Sequence, residues 1–139
     1  MFSLRRVSIA TVLIVAGFLL AACGGGPKTV NITLTDYAIE SSQTSFEVGV
    51  PYHFVVTNKG ATNHELMIMP PTTEEQMAMN MDMEEMDKMA LAMIEGDEFE
   101  PGKTMTLDFT FTDSVGALEF ACHTPGHYEK GMKLPITVK

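Results

Sequence analysis

Cysteine, positive charge and long apolar runs are all scarce in this chain of 139 residues. Cysteine occurs only at Cys23 and Cys122, too few for a framework of several disulfides. Lys and Arg together number nine against 18 Asp and Glu, giving a formal net charge of −9. A surface this acidic repels phosphate, which excludes nucleic acid as a partner. It is compatible with a basic protein partner, and equally with acid that only keeps the domain soluble. The apolar run from Val7 to Leu20 covers 14 residues, whereas a bilayer-spanning helix needs about 20.

That short run has a different reading. Arg5 and Arg6 precede it and the small residues Ala21 and Ala22 end it, the layout of an export signal. The tetrapeptide Leu20-Ala21-Ala22-Cys23 resembles a bacterial lipoprotein signal, which implies removal of residues 1–22 and acylation of Cys23. Gly24-Gly25-Gly26-Pro27 follows as a flexible tether, so residues 23–28 are expected to join a lipid anchor to a domain spanning 29–139. Each buried methylene adds about 0.8 kcal/mol, so several acyl chains suffice to hold a protein at a membrane. The expected location is the cell envelope, on the outer side of a bacterial membrane. Without Arg5 and Arg6 the remaining chain holds seven basic residues against 18 acidic ones, and it is long enough for one domain. With Cys23 acylated, Cys122 is the only thiol in an exported protein. It is therefore either a buried inert group or one occupied by a metal.

The rest of the chain reads as short strands. Residues 30–34, 45–48, 52–57, 64–69, 105–111, 118–120 and 134–138 alternate apolar with polar or form compact apolar runs, separated by turn residues. In 52–57 the inward set is Tyr52, Phe54 and Val56, which turns His53 outward. Seven or so such strands predict an all-β Greek-key sandwich. One segment interrupts it. Thr72 and Glu75 have capping-box spacing after Pro70-Pro71, and Gly96 is a plausible stop, which predicts a methionine-rich helical insert over 73–95. On such a helix Met79, Met83, Met86, Ala90 and Met93 form one stripe, with Met89 beside it, suited to facing a core. Met77 and Met81 fall on the opposite side, where a thioether pair at i and i+4 is a candidate secondary Cu(I) site. The period-two spacing of Met77, Met79, Met81 and Met83 also fits a strand or an extended metal-binding segment.

The chemistry concentrates in the run Phe120-Ala-Cys122-His-Thr-Pro-Gly-His127-Tyr-Glu-Lys-Gly-Met132. A loop of this length between two strands can direct a thiolate, an imidazole and a thioether to one point, with Pro125-Gly126 bending the chain before His127. A third strong ligand must come from elsewhere, and His64 in Thr62-Asn-His-Glu is the candidate, with His53 as the weaker alternative. His123 adjoins Cys122 and points away from the ligand side in an extended chain. A trigonal His2Cys set with a long axial Met is a copper electron-transfer arrangement. A closed zinc site competes less well, since thioether is a poor zinc ligand. The axial position is open between Met132 and a backbone oxygen or nothing.

With these residues the chain resembles the cupredoxins, the family of plastocyanin, azurin, auracyanin and rusticyanin. The Cys-x4-His-x4-Met spacing at Cys122, His127 and Met132 is nearest to the last two. The resemblance covers most of residues 29–139 outside the insert. It implies a β-sandwich with one type 1 copper, His64, Cys122 and His127 as equatorial ligands and Met132 as axial ligand. It also implies one-electron transfer to a redox protein by a monomer, with His127 near the surface and Pro125 and Pro70 around it. In plastocyanin and azurin an Asn directly follows the first ligand His, whereas Glu65 stands here and Asn63 precedes. Nine methionines between residues 67 and 93 keep a second function open, a copper buffer or chaperone of the envelope. An oxidase or nitrite reductase needs a second copper centre with further histidines, and the chain has only four, so no enzyme activity is expected.

Overall fold

The computed structural model describes residues 25–73, 83–113 and 116–139, so the expectations for the export signal, Cys23, Met77 and Met81 lie outside the described residues. The alternating segments form β1 (Lys28–Thr35), β2 (Ala38–Ser41), β3 (Ser45–Phe46), β4 (Pro51–Asn58), β5 (Leu66–Met69), β6 (Ala92–Ile94), β7 (Thr104–Thr110), β8 (Ala117–Ala121) and β9 (Lys133–Val138). One sheet has the order β2-β1-β4-β7 and the other β3-β9-β8-β5-β6. The pairs β1/β4 and β3/β9 are parallel and the rest antiparallel.

Alternation explains the packing. Val30, Ile32 and Leu34 of β1 lie beside Phe54, Val56 and Asn58 of β4 in register, so one face of both strands points inward. The opposing sheet supplies Leu118, Phe120, Ile136 and Val138 to the same core. Phe46 sits at its centre, with ring centroids 5.0 Å from Tyr52, 5.7 Å from Phe54, 5.2 Å from Phe111 and 5.9 Å from Phe120. The Tyr52 hydroxyl is not stranded there, because it accepts the Glu47 N–H at 2.9 Å.

The insert departs from expectation. Within 73–95 the described helix is one short element, α1 (Met83–Asp87), and Ala92–Ile94 is not helical at all. It pairs with β5 as an edge strand, Met67 opposite Met93 and Ile68 opposite Ala92. Met93 therefore does not lie on a helical stripe, and the helix does not continue to residue 95. The reason is tertiary: β5 is hydrophobic on both faces, and a strand at its free edge satisfies its backbone while covering Met67 and Met69. Those two methionines, Ala121 and Tyr128 make a second small core on the outer face of the sheet, with Met89, Ala90 and Met93 packed against it.

Candidate metal centre

Three strand ends meet at one end of the sandwich. His64 lies two residues before β5, Cys122 directly follows β8, and Met132 directly precedes β9. Pairing of Met67 with Ala121 and of Ala121 with Lys133 brings the three ends side by side. The Cys122 N–H donates to the Met132 carbonyl at 3.1 Å, extending the ladder by one bond beyond the strands. The loop between them is held by its own backbone. The His127 N–H donates to the Thr124 carbonyl at 2.9 Å and the Met132 N–H to the His127 carbonyl at 3.1 Å. Gly126 and Gly131 both have left-handed backbones, φ 79° and 99°, where a side chain would be strained.

The loop brings the predicted donors together. His64 Nδ1 lies 3.1 Å from His127 Nδ1, and Cys122 Sγ lies 3.6 Å from His127 Nδ1. All three donor atoms fall within 4.8 Å of one another. His64 and Cys122 are fully buried and His127 is 8% exposed. Met132, also fully buried, belongs with Cys122 to the main core. Two ring nitrogens and a sulfur converging in an apolar setting are a soft, mixed donor set that fits a copper ion. Burial pushes the Cys122 thiol above its ordinary range, opposed by backbone N–H groups of Glu65 and Thr124 and by the Thr124 hydroxyl. Burial lowers His64, helped by the neighbouring His127 and opposed by Asp36, so that imidazole is kept neutral and able to ligate.

The two other histidines stand apart from the cluster. His53 is on the sandwich surface, with Nδ1 2.6 Å from Asp108. His123 stands outside the donor cluster, as its place beside Cys122 implies, and is buried. Its ring stacks on Tyr128 with centroids 4.3 Å apart and planes 14° apart. The Tyr128 hydroxyl donates to buried Glu119 at 2.6 Å, and burial with that bond lifts its pKa to about 12.

Residues outside the predicted set complete the surroundings. The departure at Glu65 is resolved by its carboxylate, which reaches across to accept the His123 N–H at 2.5 Å, tying the His64 segment to the Cys122 loop. Burial raises its pKa, opposed by that same N–H. His127 is less open than expected, because Tyr37 lies edge-on to its ring, with centroids 5.3 Å apart and planes at 84°. Asp36 Oδ1 is 3.2 Å from His64 Nε2. Strand periodicity carries no signal for Asp36 or Tyr37, since both lie in a turn.

No protein-family model matches the chain. A 40-residue stretch is 52% identical to the copper-resistant cuproprotein CopI of Pseudomonas aeruginosa, covering 29% of this chain and 22% of that protein's length. Solved structures match over far more. Auracyanin of Roseiflexus castenholzii is 23% identical, with 83% of this chain and 99% of that chain aligned at a TM-score of 0.60. The azurin Az-iso2 of Methylomonas sp. strain J is 15% identical, with 82% and 99% aligned at 0.60. Auracyanin A of Chloroflexus aurantiacus is 19% identical, with 82% and 100% aligned at 0.54. This chain has the fold of the cupredoxins, and one end of its sandwich carries a His, Cys, His donor set that fits a blue copper site.

Proposed function

We propose that this protein carries single electrons between partners of the bacterial envelope at one type 1 copper. His64, Cys122 and His127 would hold the ion as its strong donors, and Met132 would supply a further, weaker thioether. The observation that carries this reading is the convergence of two imidazole nitrogens and a buried thiol within 4.8 Å. Copper bound there cycles between Cu(II) and Cu(I). The chain's contribution is to hold the donors still. His64 and Cys122 hang from paired strands, and Glu65 fastens one loop to the other, so little rearrangement need accompany the redox change. Cys122 would hold copper as its thiolate, giving up the proton that burial favours on the thiol. The protein is a carrier rather than a catalyst. It is exported and acylated at Cys23, and its acidic surface suits a basic redox partner.

The test is the visible spectrum of the purified protein after addition of Cu(II). An intense copper–thiolate charge-transfer band is expected, and Cys122→Ser should abolish it. A protein that stays colourless while binding Cu(I) would sink the carrier reading. The short similarity to a copper-resistance protein, together with the thioethers gathered around Met67 and Met69, favours a second role as a copper buffer. A buffer should take up a second Cu(I) per chain and lose it in Met77→Ala/Met81→Ala, whereas a carrier stays at one copper in both proteins.

A further inference from the structure

Between β1 and β2 the chain reverses through Asp36 and Tyr37, and this turn touches both imidazoles. Asp36 Oδ1 is 3.2 Å from His64 Nε2, the ring nitrogen turned away from the donor cluster. That nitrogen is fully buried, and it is the one buried side-chain nitrogen or oxygen without an aligned hydrogen bond among the described residues. Asp36 is placed by the loop it faces, since the Ala61 N–H donates to its two oxygens at 3.0 and 3.2 Å. Gly60 leaves the space for this meeting. A Cβ there would overlap His64 Nε2 and stand 2.6 Å from Asp36 Oδ1.

Tyr37 covers the other imidazole. It has φ 68°, uncommon for a bulky side chain, and that backbone sets its ring edge-on to His127. Lys130 fixes it from outside, with Nζ 3.0 Å from the Tyr37 hydroxyl and 4.3 Å from the ring centroid. Strained residues of this kind persist where surrounding contacts over-determine them, and they cluster at functional sites.

We propose that the Asp36-Tyr37 turn is the positioning element for both imidazole ligands, Asp36 orienting His64 through Nε2 and Tyr37 shielding the outer edge of His127. This rests on the copper reading of the site. A carboxylate facing Nε2 keeps the proton on that nitrogen and leaves Nδ1 with a free lone pair turned to the donor cluster. The carboxylate also makes the ligand more basic, which favours Cu(II) over Cu(I).

The test uses the wild-type protein with Asp36→Asn, Gly60→Ala and Tyr37→Gly. Nitrogen NMR of the metal-free wild type should show His64 protonated at Nε2. Asp36→Asn should mix the tautomers while leaving the fold intact, because Asn still accepts from Ala61. With copper bound, Asp36→Asn should weaken Cu(II) relative to Cu(I) by about tenfold, the low end of outer-ligand effects, which raises the reduction potential by about 59 mV. Gly60→Ala should displace His64 and weaken the visible band. Tyr37→Gly suits the left-handed backbone, so it should leave the band in place and quicken electron self-exchange several-fold by uncovering His127. A wild type without a copper–thiolate band overturns the reading of the site itself. A blue wild type with the opposite His64 tautomer, or with a potential unmoved in Asp36→Asn, overturns only the role of Asp36. Unchanged self-exchange in Tyr37→Gly overturns only the shield.

Discussion

The two faces of β5 are buried by different means. Leu66 and Ile68 face the core between the sheets, where Phe46, Tyr52, Phe54, Phe111 and Phe120 lock together ring against ring. Met67 and Met69 face outward into a cluster of flexible thioethers, bordered by Tyr128 and the polar groups bonded to it. Aromatic rings have few rotamers and directional contacts, whereas methionine adapts to gaps. Cys122 and Met132 belong to the first core and His123 borders the second, stacked on Tyr128. The His, Cys, His cluster is thus built on the stiff core, while the adaptable core lies behind it.

Removing Phe46 should expose the difference most. Phe46→Ala empties the junction of both sheets and should cost about 3–5 kcal/mol, as for other large core truncations. Loss of copper retention should accompany it, because the strands that position His64 and Cys122 lose their common support. Urea denaturation of the metal-free protein measures the first effect and copper retention after dialysis the second. A variant that loses stability but keeps its copper would show that the ligand loops are held independently of the aromatic core.

The same contrast governs what could be read in the sequence. Strands of the stiff core announced themselves, because one buried face gives clean alternation, as in Val30 to Leu34 and Tyr52 to Val56. The run Leu66–Met69 was legible as a strand, but not the fact that both its faces are covered. Ala92–Ile94 was hidden inside a composition that favours helix. Three residues carry too little periodicity to oppose that preference, and only pairing with β5 decides their state. At the metal centre the loop from Cys122 to Met132 was legible because its donors sit at fixed spacing. The contributions of Asp36, Tyr37 and Gly60 were not, since they depend on a turn meeting a loop more than twenty residues away.

The border of the second core should respond to pH. The Tyr128 hydroxyl is raised to about 12 by burial and by its bond to Glu119, against an ordinary value of 10.0. Above pH 10 the unfolded chain loses this proton while the folded one keeps it, so the contribution is complete below pH 10 and is lost as pH rises towards 12. Over that window wild type should lose roughly 2 kcal/mol through this group. Tyr128→Phe should start lower at neutral pH, because Glu119 loses its donor, by about 1–3 kcal/mol. It should then fall less steeply above pH 10. Denaturation curves at intervals from pH 8 to 11 separate the two components, and parallel curves for the two proteins would refute the coupling.

The smallest change should come from the methionines themselves. Met67 and Met69 are fully buried, so truncation to Ala would leave cavities, but Leu nearly preserves the volume. If these side chains only fill space, Met67→Leu and Met69→Leu should each cost less than about 1.5 kcal/mol. The visible band and reduction potential should not change, since neither sulfur belongs to the copper donor set. Thioether and isobutyl groups pack alike but differ in their affinity for Cu(I). Titrating the Met67→Leu/Met69→Leu variant with Cu(I) therefore separates packing from ligation, which stability alone would confuse. An unchanged count of one copper assigns the second core to packing. Loss of a second copper bound by wild type would make that core a storage site beside the His, Cys, His centre, with the soft face of β5 serving metal supply.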